Sequence, residues 1–207
     1  MGRPRRKRPT SYHHGDLPRA LLDAALHLVE TEGPAALTLR AVAREAGVSQ
    51  AAPYRHFANK EAILAAVAEE GFRSLMAAMR QAVDACGPLP LAQLRAVGVG
   101  YVTFATSHRS HFRVMFGRGA VDRSRFPALG QVAADTLAMV IDAIAECQRA
   151  GLVRDDEPAR DLALMAWSCV HGLSALLVEG AVDRPVMEVA DIVTRDLFLG
   201  LGIRGAR

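Results

Sequence analysis

Apolar residues recur at every third or fourth position along most of the chain, which is the spacing of one face of an α-helix. In the N-terminal part this pattern predicts four helices, of which the middle two are very short, at 16–33, 39–46, 49–57 and 60–86. Downstream it predicts five more, at 89–107, 110–116, 127–150, 158–180 and 185–201. No segment shows the alternation of a β-strand, so the sequence predicts an all-α protein of about nine helices.

The predicted helix starts carry residues that suit the N-cap position, namely Asp16, Thr38, Ser49 and Asn59. Glycines follow the predicted helix ends, at Gly33, Gly47 and Gly87. Pro53 is the fourth residue of the predicted 49–57 helix, where it removes only the first intrahelical hydrogen bond. We therefore expect this helix to persist, with an altered entry angle.

Basic residues are concentrated at the N-terminal end. Residues 1–60 hold ten Lys/Arg against five Asp/Glu, whereas residues 61–207 hold fifteen against seventeen. This asymmetry predicts a polyanionic partner for the N-terminal part. Residues 1–15 include five basic residues and no periodic apolar ones. They predict a disordered basic arm, either lying along DNA or serving as a solubilising tail.

The segment 38–60 has the features that a helix-turn-helix requires. Ala43 is small enough for a close helix crossing, and Gly47 suits the left-handed conformation of the turn. Three apolar residues supply contacts between the helices, namely Val42, Val48 and Phe57. The outward residues of the predicted helix at 49–57 offer an amide, small apolar groups, a phenol and nitrogen donors that suit a major groove: Gln50, Ala51, Ala52, Tyr54, Arg55 and His56.

From Asp16 to about Phe72 the chain resembles the DNA-binding domain of TetR-type transcriptional regulators. The resemblance rests on Ala43 and on the runs Gly47-Val48-Ser49, Tyr54-Arg55-His56-Phe57 and Asn59-Lys60-Glu61. It implies phosphate contacts at Thr38, Tyr54, His56 and Lys60, and base contacts at Gln50, Ala51, Ala52 and Arg55. Arg40 and Ser49 complete the predicted DNA-binding set. Pro53 departs from the family pattern, which usually has an aliphatic residue there.

The C-terminal part resembles the regulatory domain type called WHG. The resemblance rests on Trp167, His171 and Gly172, and on the upstream run 111–117. It implies a regulatory domain for ligand binding and dimerisation at 89–207. Together with the N-terminal patterns, this divides the chain into a basic arm at 1–15, a helix-turn-helix domain at 16–60, a connecting helix at 61–88 and the regulatory domain.

Trp167 and His171 lie one helical turn apart and share a face. His171 either points into a ligand pocket or is a core histidine bonded to a backbone carbonyl. The candidate ligand-binding residues, each of which could instead be ordinary core, are Phe72, Met76, Phe104, Phe112, Met115, Phe116, Met139, Trp167 and His171. The apolar faces of the last two helices predict a homodimer interface with Leu162, Cys169, Leu173, Leu176, Val189, Val193 and Leu197.

Motifs of catalysis, of a cofactor site or of a metal site are not found in the sequence. His108 and His111 have a spacing that one metal ion could bridge, but no third ligand is evident, so no metal site is predicted. The spacing of Cys86, Cys147 and Cys169 fits no disulfide framework, which predicts free thiols in the cytoplasm. The uncharged segment 162–178 is shorter than a bilayer requires and predicts a helix buried on all sides, with no membrane association.

The sequence thus predicts a cytoplasmic repressor that binds a palindromic DNA operator as a homodimer and is released by a small-molecule effector. A dimer also suits the geometry of DNA, because it presents two recognition helices to successive major grooves about 34 to 36 Å apart. Two alternatives remain open, namely a protein that coats DNA without sequence preference and a small helical enzyme. The ratio of specific to non-specific DNA affinity distinguishes the first alternative.

Overall fold

The computed structural model describes residues 16–117 and 121–202 of the 207-residue chain, so the arm predicted for residues 1–15 lies outside it. All regular structure in these two ranges is helical. The α-helices are α1 (Leu17–Glu32), α2 (Leu39–Glu45), α3 (Lys60–Cys86), α4 (Pro90–Ser107), α5 (Arg109–Phe116), α6 (Pro127–Arg149), α7 (Ala159–Val178) and α8 (Val186–Gly202). Two short 3-10 turns complete the regular structure, at Pro53–Arg55 and Arg123–Arg125.

Side-chain caps begin the three α-helices of the N-terminal part as the sequence predicts, but the predicted cap at Ser49 is wrong, because the turn that follows begins only at Pro53 and has no side-chain cap. In each cap a side-chain oxygen accepts a hydrogen bond from the backbone N–H three residues on, and the pairs are Asp16 with Arg19, Thr38 with Ala41, and Asn59 with Ala62. Gly47 follows α2 with a φ of 68°, the left-handed conformation expected of the turn. Local chemistry therefore sets the ends of the helices that form the DNA-binding part.

The 27-residue helix α3 joins the two halves of the fold. It packs against α1 on one side and against α4, α5 and α6 on others. Its apolar face is fully buried, including Ile63, Leu75 and Met79. The crossing with α4 is close, since a Cβ atom added at Gly100 would lie 2.9 Å from the Cα of Met79. Backbone contact therefore fixes α3 against the regulatory bundle.

Helices α4, α6, α7 and α8 form the C-terminal bundle. The prediction that α7 is buried on all sides is wrong for the single protomer. Leu162 and Val170 face the core, whereas Leu164 and Leu176 on the other side are 57% and 50% exposed. Helices α6 and α7 are long and apolar enough to cross a membrane by length and composition, yet both pack against α4 and against each other in the bundle.

Candidate DNA-binding surface and ligand cavity

The segment after the turn differs from the predicted α-helix at 49–57. Only Pro53–Arg55 is helical, and it is a 3-10 turn. The backbone N–H of Ala52 donates to the carbonyl of Ser49 at 3.0 Å, and that of Arg55 donates to Ala52 at 3.2 Å. Pro53 has no N–H to donate to Ser49, and its ring disfavours a regular α-helix through the preceding residues. The expectation that the helix persists through Pro53 is therefore wrong.

Most side chains predicted to meet DNA are nevertheless exposed at this end of the molecule. The exposed set comprises Thr38, Arg40, Ser49, Gln50, Ala51, Tyr54, Arg55 and His56, and Ala52 is half-buried. Tyr54 is 54% exposed, so its ring does not pack into the edge of the domain. Val42 and Pro53 are buried beneath this surface. An amide, a phenol and cationic groups are therefore exposed to DNA above well-packed apolar residues.

Lys60 has a structural role beside its predicted phosphate contact. Its Nζ atom donates to the carbonyl oxygens of Pro34 at 2.9 Å and of Ala35 at 3.1 Å. These contacts tie the loop between α1 and α2 to the start of α3. Because an ammonium group has three donors, one remains for a phosphate oxygen.

A cavity of about 390 Å³ lies between α3, α4, α5, α6 and α7. Its walls are largely apolar or aromatic, with small residues on α6 that leave the space open. The lining residues are Phe72, Leu75, Met79, Tyr101, Phe116, Arg123, Ser124, Gly130, Ala133, Ala134, Thr136, Leu137, Val140 and Trp167. A volume of this size fits a small molecule.

Three of the predicted ligand-binding residues, Phe72, Phe116 and Trp167, line this cavity. The other candidates lie outside its wall: Phe104, Phe112 and Met115 are buried core residues, and Met76 and Met139 are half-buried against the core. His108 stacks on Phe104, and His111 hydrogen-bonds Glu70 at 3.2 Å. The two histidine rings also meet edge-on, with centroids 6.0 Å apart, but no group of three potential metal ligands occurs in the described ranges.

Tyr101 joins Trp167 and His171 in a hydrogen-bonded group beside the cavity. The indole N–H of Trp167 donates to the Tyr101 oxygen at 3.2 Å, and the Tyr101 hydroxyl lies 2.8 Å from Nδ1 of His171. Because the Tyr101 oxygen accepts the hydrogen bond from the indole, its own proton is free to be donated to the imidazole nitrogen of His171. Burial raises the pKa of Tyr101 and lowers that of His171, which keeps both groups neutral. His171 thus has neither predicted partner, because it bonds a phenol rather than a backbone carbonyl and does not line the cavity.

Tyr101 and Arg123 line the cavity although no sequence pattern indicated them. Tyr101 lies in the middle of a helix with an ordinary apolar pattern, and Arg123 begins the short 3-10 turn between α5 and α6. Its guanidinium group packs over the ring of Phe72, 4.7 Å from the centroid, and reaches the carbonyl oxygen of Met115 at 3.5 Å. Burial lowers the pKa of Arg123, although an arginine remains charged at neutral pH.

The residues predicted for the dimer interface differ in how far they are exposed on the protomer. Leu162, Leu173 and Val189 are buried within the protomer, so their side chains serve its own core. Val193 and Leu197 are half-buried, whereas Cys169 and Leu176 are exposed on α7. Sequence periodicity missed further exposed apolar side chains on the same two helices, namely Leu164, Met165 and Met187.

The sequence is similar to known families of bacterial regulators. Residues 21–67 match the family model described as bacterial regulatory proteins, tetR family, and residues 94–197 match the one described as tetracyclin repressor-like, C-terminal domain. The HTH-type transcriptional regulator BetI of Rhizobium meliloti (strain 1021) is 40% identical over 62 residues, which are 30% of this chain. The chain therefore spans only 29% of the length of that curated relative.

Solved structures share the fold over nearly the whole chain. A protein of unknown function from Rhodococcus sp. RHA1 is 34% identical with a TM-score of 0.78, covering 94% of this chain and 100% of that chain. FadR of Bacillus subtilis, solved in complex with stearoyl-CoA, has a TM-score of 0.76 at 17% identity, covering 90% of this chain and 100% of that chain. The C-terminal family match alone spans half of the sequence. The chain therefore belongs to the TetR family of bacterial transcriptional regulators.

Proposed function

We propose that this protein is a repressor that binds a palindromic operator as a homodimer and leaves it when a small molecule fills the cavity. The observation that carries the proposal is the path of α3. This helix begins at the DNA-facing end, where Lys60 holds the loop after α1, and its residues Phe72, Leu75 and Met79 line the cavity. A helix of this length extends about 40 Å, so one rigid element connects both sites.

The proposed division of labour follows the helices. Residues 16–60 bind DNA, the helix at 61–88 connects, and residues 89–207 form the regulatory domain, with the basic arm at 1–15 adding phosphate contacts. We assign the regulatory domain to the WHG type. The assignment is supported by the convergence of Trp167 and His171 on one phenol oxygen, that of Tyr101.

DNA recognition in this proposal is divided between two kinds of side chain. Thr38, Arg40, Tyr54, His56 and Lys60 bind phosphates and set the register, whereas Ser49, Gln50, Ala51, Ala52 and Arg55 face the bases. The exposure of nearly all these residues supports the assignment. Because the recognition segment is a short 3-10 turn, we expect few base contacts from each protomer, which makes a two-fold repeated operator necessary.

Dimerisation is assigned to the outer faces of α7 and α8. Leu164, Met165, Leu176 and Met187 expose apolar side chains there, and Cys169 lies among them on α7. A second copy of the same surface buries them and holds two DNA-binding domains at a fixed separation. An effector that binds the released state more tightly by about 1 to 3 kcal/mol shifts the operator affinity 5- to 150-fold.

The proposal is tested by selecting binding sites for the purified full chain from a random pool of duplex DNA. We expect enrichment of an inverted repeat whose half-sites are about one helical turn apart. Recovery of unrelated sequences with equal affinity would contradict the proposal and favour the DNA-coating alternative.

Two variants sharpen this experiment. Gln50→Ala removes a predicted base contact and is expected to relax the selected sequence at one position in each half-site. Arg40→Ala removes a predicted phosphate contact, and we expect it to keep the selected sequence while weakening all binding and lowering the salt dependence. If Gln50→Ala instead weakens specific and random DNA equally, its proposed role in reading bases is wrong.

A further inference from the structure

We infer that the effector is an amphiphile with one anionic headgroup, which Arg123 binds, and that the turn Arg123–Arg125 transmits its arrival to the start of α3. This inference rests on the proposed function, because it names the ligand class and the transmitting contact for the same cavity. Carboxylate and phosphate headgroups share the required chemistry, since both accept paired hydrogen bonds from a guanidinium.

Arg123 is a half-buried cation on the cavity wall, and no carboxylate in the described ranges forms an ion pair with it. Its guanidinium carbon lies 4.7 Å from the ring centroid of Phe72 and 5.7 Å from that of Phe116. Its side chain makes one hydrogen bond within the described ranges, to the Met115 carbonyl oxygen at 3.5 Å, and the neighbouring group that acts on its charge is the Tyr101 phenol rather than a carboxylate. A guanidinium has five N–H donors, so several remain for an anion in the cavity.

The other polar groups on the described cavity wall have already committed their protons. The Tyr101 hydroxyl bonds His171, the Thr136 hydroxyl donates to the Val132 carbonyl at 2.7 Å, and the indole N–H of Trp167 donates to Tyr101. The Ser124 hydroxyl donates to the exposed carboxylate of Asp122 at 2.7 Å in the same way.

Arg123 is therefore the group on this wall that can neutralise and hydrogen-bond an anion. Leu75, Met79, Ala133 and Leu137 provide an apolar wall for the rest of the molecule. A ligand that matches both features has a hydrocarbon body and one negative end. A headgroup that supplies the missing negative charge gains charge-assisted hydrogen bonds from this guanidinium.

The same turn also contacts the DNA-binding half. Arg125, two residues beyond Arg123, places its Nη1 atom 2.5 Å from Oε2 of Glu61. Glu61 lies in the first turn of α3, next to Lys60, which holds the carbonyl groups of Pro34 and Ala35. An effector that draws Arg123 toward its headgroup therefore moves Arg125 and alters this partly exposed ion pair with the start of α3.

Two backbone hydrogen bonds close the turn that carries Arg123 and Arg125. The backbone N–H of Arg125 donates to the Asp122 carbonyl, and that of Phe126 donates to the Arg123 carbonyl, each at 3.2 Å. Phe126 leads directly into α6, which begins at Pro127. Movement of Arg123 is thus coupled to that of Arg125 by the turn's own hydrogen bonds.

Trp167 provides a direct optical test, because it is the only tryptophan in the chain and lines the cavity. The full-length protein is titrated with decanoate, decyl phosphate and 1-decanol while tryptophan fluorescence is followed. We expect at least one of the two anions to bind about tenfold or more tightly than the neutral alcohol, as charge-assisted hydrogen bonds require. Comparison of decanoate with decyl phosphate identifies the headgroup. Equal affinity for all three probes, or no response to either anion, overturns the inference.

Variants separate headgroup binding from transmission. Arg123→Gln is expected to abolish the preference for the anion over the alcohol, whereas Arg123→Lys retains part of it. Arg160→Gln, which removes an exposed arginine at the start of α7, serves as the matched control and keeps the full preference. If Arg123→Gln retains the preference of the unmodified chain, the headgroup assignment is wrong.

Transmission is measured as the ratio of operator affinities with and without a saturating amount of the preferred anion. We expect Arg125→Gln to bind this anion at least as tightly as the unmodified chain, because binding no longer disturbs the ion pair, but to bring the ratio close to one, and Arg125→Lys to restore part of the ratio. An unchanged ratio in Arg125→Gln overturns the role of the turn. Sequence-specific DNA binding without any ligand is measured in the same assay, and its absence refutes the proposed function, whereas its presence with a failed anion test refutes only this inference.

Discussion

Two histidines of the regulatory half lie in surroundings that disfavour their charged form. Burial lowers the pKa of both His111 and His171 below the usual value. The hydrogen bond to Glu70 opposes this effect at His111 but is the smaller cause. At His171 a proton on Nδ1 would also displace the hydrogen bond from Tyr101.

These shifts predict that the protein loses stability on mild acidification. The unfolded chain binds protons at histidine near pH 6.5, before the folded protein accepts them, so the free energy of unfolding falls as the pH drops through that value. Urea denaturation at pH 8, 7, 6 and 5.5 measures the change. We expect His171→Gln to show a shallower decline below pH 7 than the unmodified chain. A free energy of unfolding that rises on acidification over this range would contradict the assignment.

Residue types with strong local preferences were predictable from sequence, and those with long-range partners were not. Thr38 and Asn59 cap helices because their side-chain oxygens reach a backbone N–H three residues away. Arg123 and Tyr101 acquire their roles from residues on other helices, and Trp167, 66 residues from Tyr101, is one such partner. Periodicity reports only which face of a helix is apolar, so it also left the orientation of His171 undecided.

At the level of elements, the short recognition segment shows the limit of a local argument about proline. Counting positions from Ser49 suggested the loss of one hydrogen bond, but the observed segment is a 3-10 turn at Pro53–Arg55. Once Pro53 cannot donate, Ala52 bonds Ser49 instead and tightens the chain. The long helices were predicted well, because each has an apolar stripe and clear ends that outweigh any single residue.

The crossing of α3 and α4 depends on the absence of a side chain at Gly100. A Cβ atom there would lie 2.9 Å from the Cα of Met79 and 3.0 Å from the carbonyl oxygen of Ala78. We expect Gly100→Ala to lower the free energy of unfolding by about 1 to 3 kcal/mol, because the backbone of α3 cannot yield. Urea denaturation measures this loss, provided that the slope of the unfolding free energy against urea concentration is the same for both proteins.

Gly71→Ala is the matched comparison on α3 itself. Its Cβ would approach the Sδ atom of Met115 to 2.5 Å, but that atom belongs to a flexible side chain that can turn away. The gain in helix propensity, about 1 kcal/mol, offsets part of the cost. We therefore expect Gly71→Ala to be less destabilising than Gly100→Ala, and the reverse order would contradict the packing described for α3.

For the whole molecule, the sequence predicted the all-helical architecture and the family resemblance but not the position of the cavity. The cavity exists where Ala133 and Ala134 of α6 face the larger side chains of α3, a pairing that depends on how distant helices cross. The exposed outer face of α7 could not be predicted from sequence either. Leu162 and Leu176 occupy similar apolar positions, although Leu162 is 2% and Leu176 is 50% exposed.

The exposed faces of α7 and α8 predict how the oligomeric state responds to mutation. We expect Leu176→Asp to yield a folded monomer in analytical ultracentrifugation, because a charge buried in an apolar interface has no partner. Leu89→Asp is the control, since Leu89 is 69% exposed between α3 and α4. The control is expected to remain dimeric, and a Leu176→Asp variant that also remains dimeric would place the interface elsewhere.

Sequence-specific DNA binding underlies every role proposed for this protein. A salt titration of the purified chain on the DNA upstream of its own gene, beside a shuffled fragment of the same length, measures it. We expect two protomers to bind the upstream fragment about 10³-fold or more tightly than the shuffled one, and this ratio to persist as salt rises. Equal binding to both fragments, lost at modest salt, would contradict sequence-specific binding to that DNA and favour a protein that binds without regard to sequence.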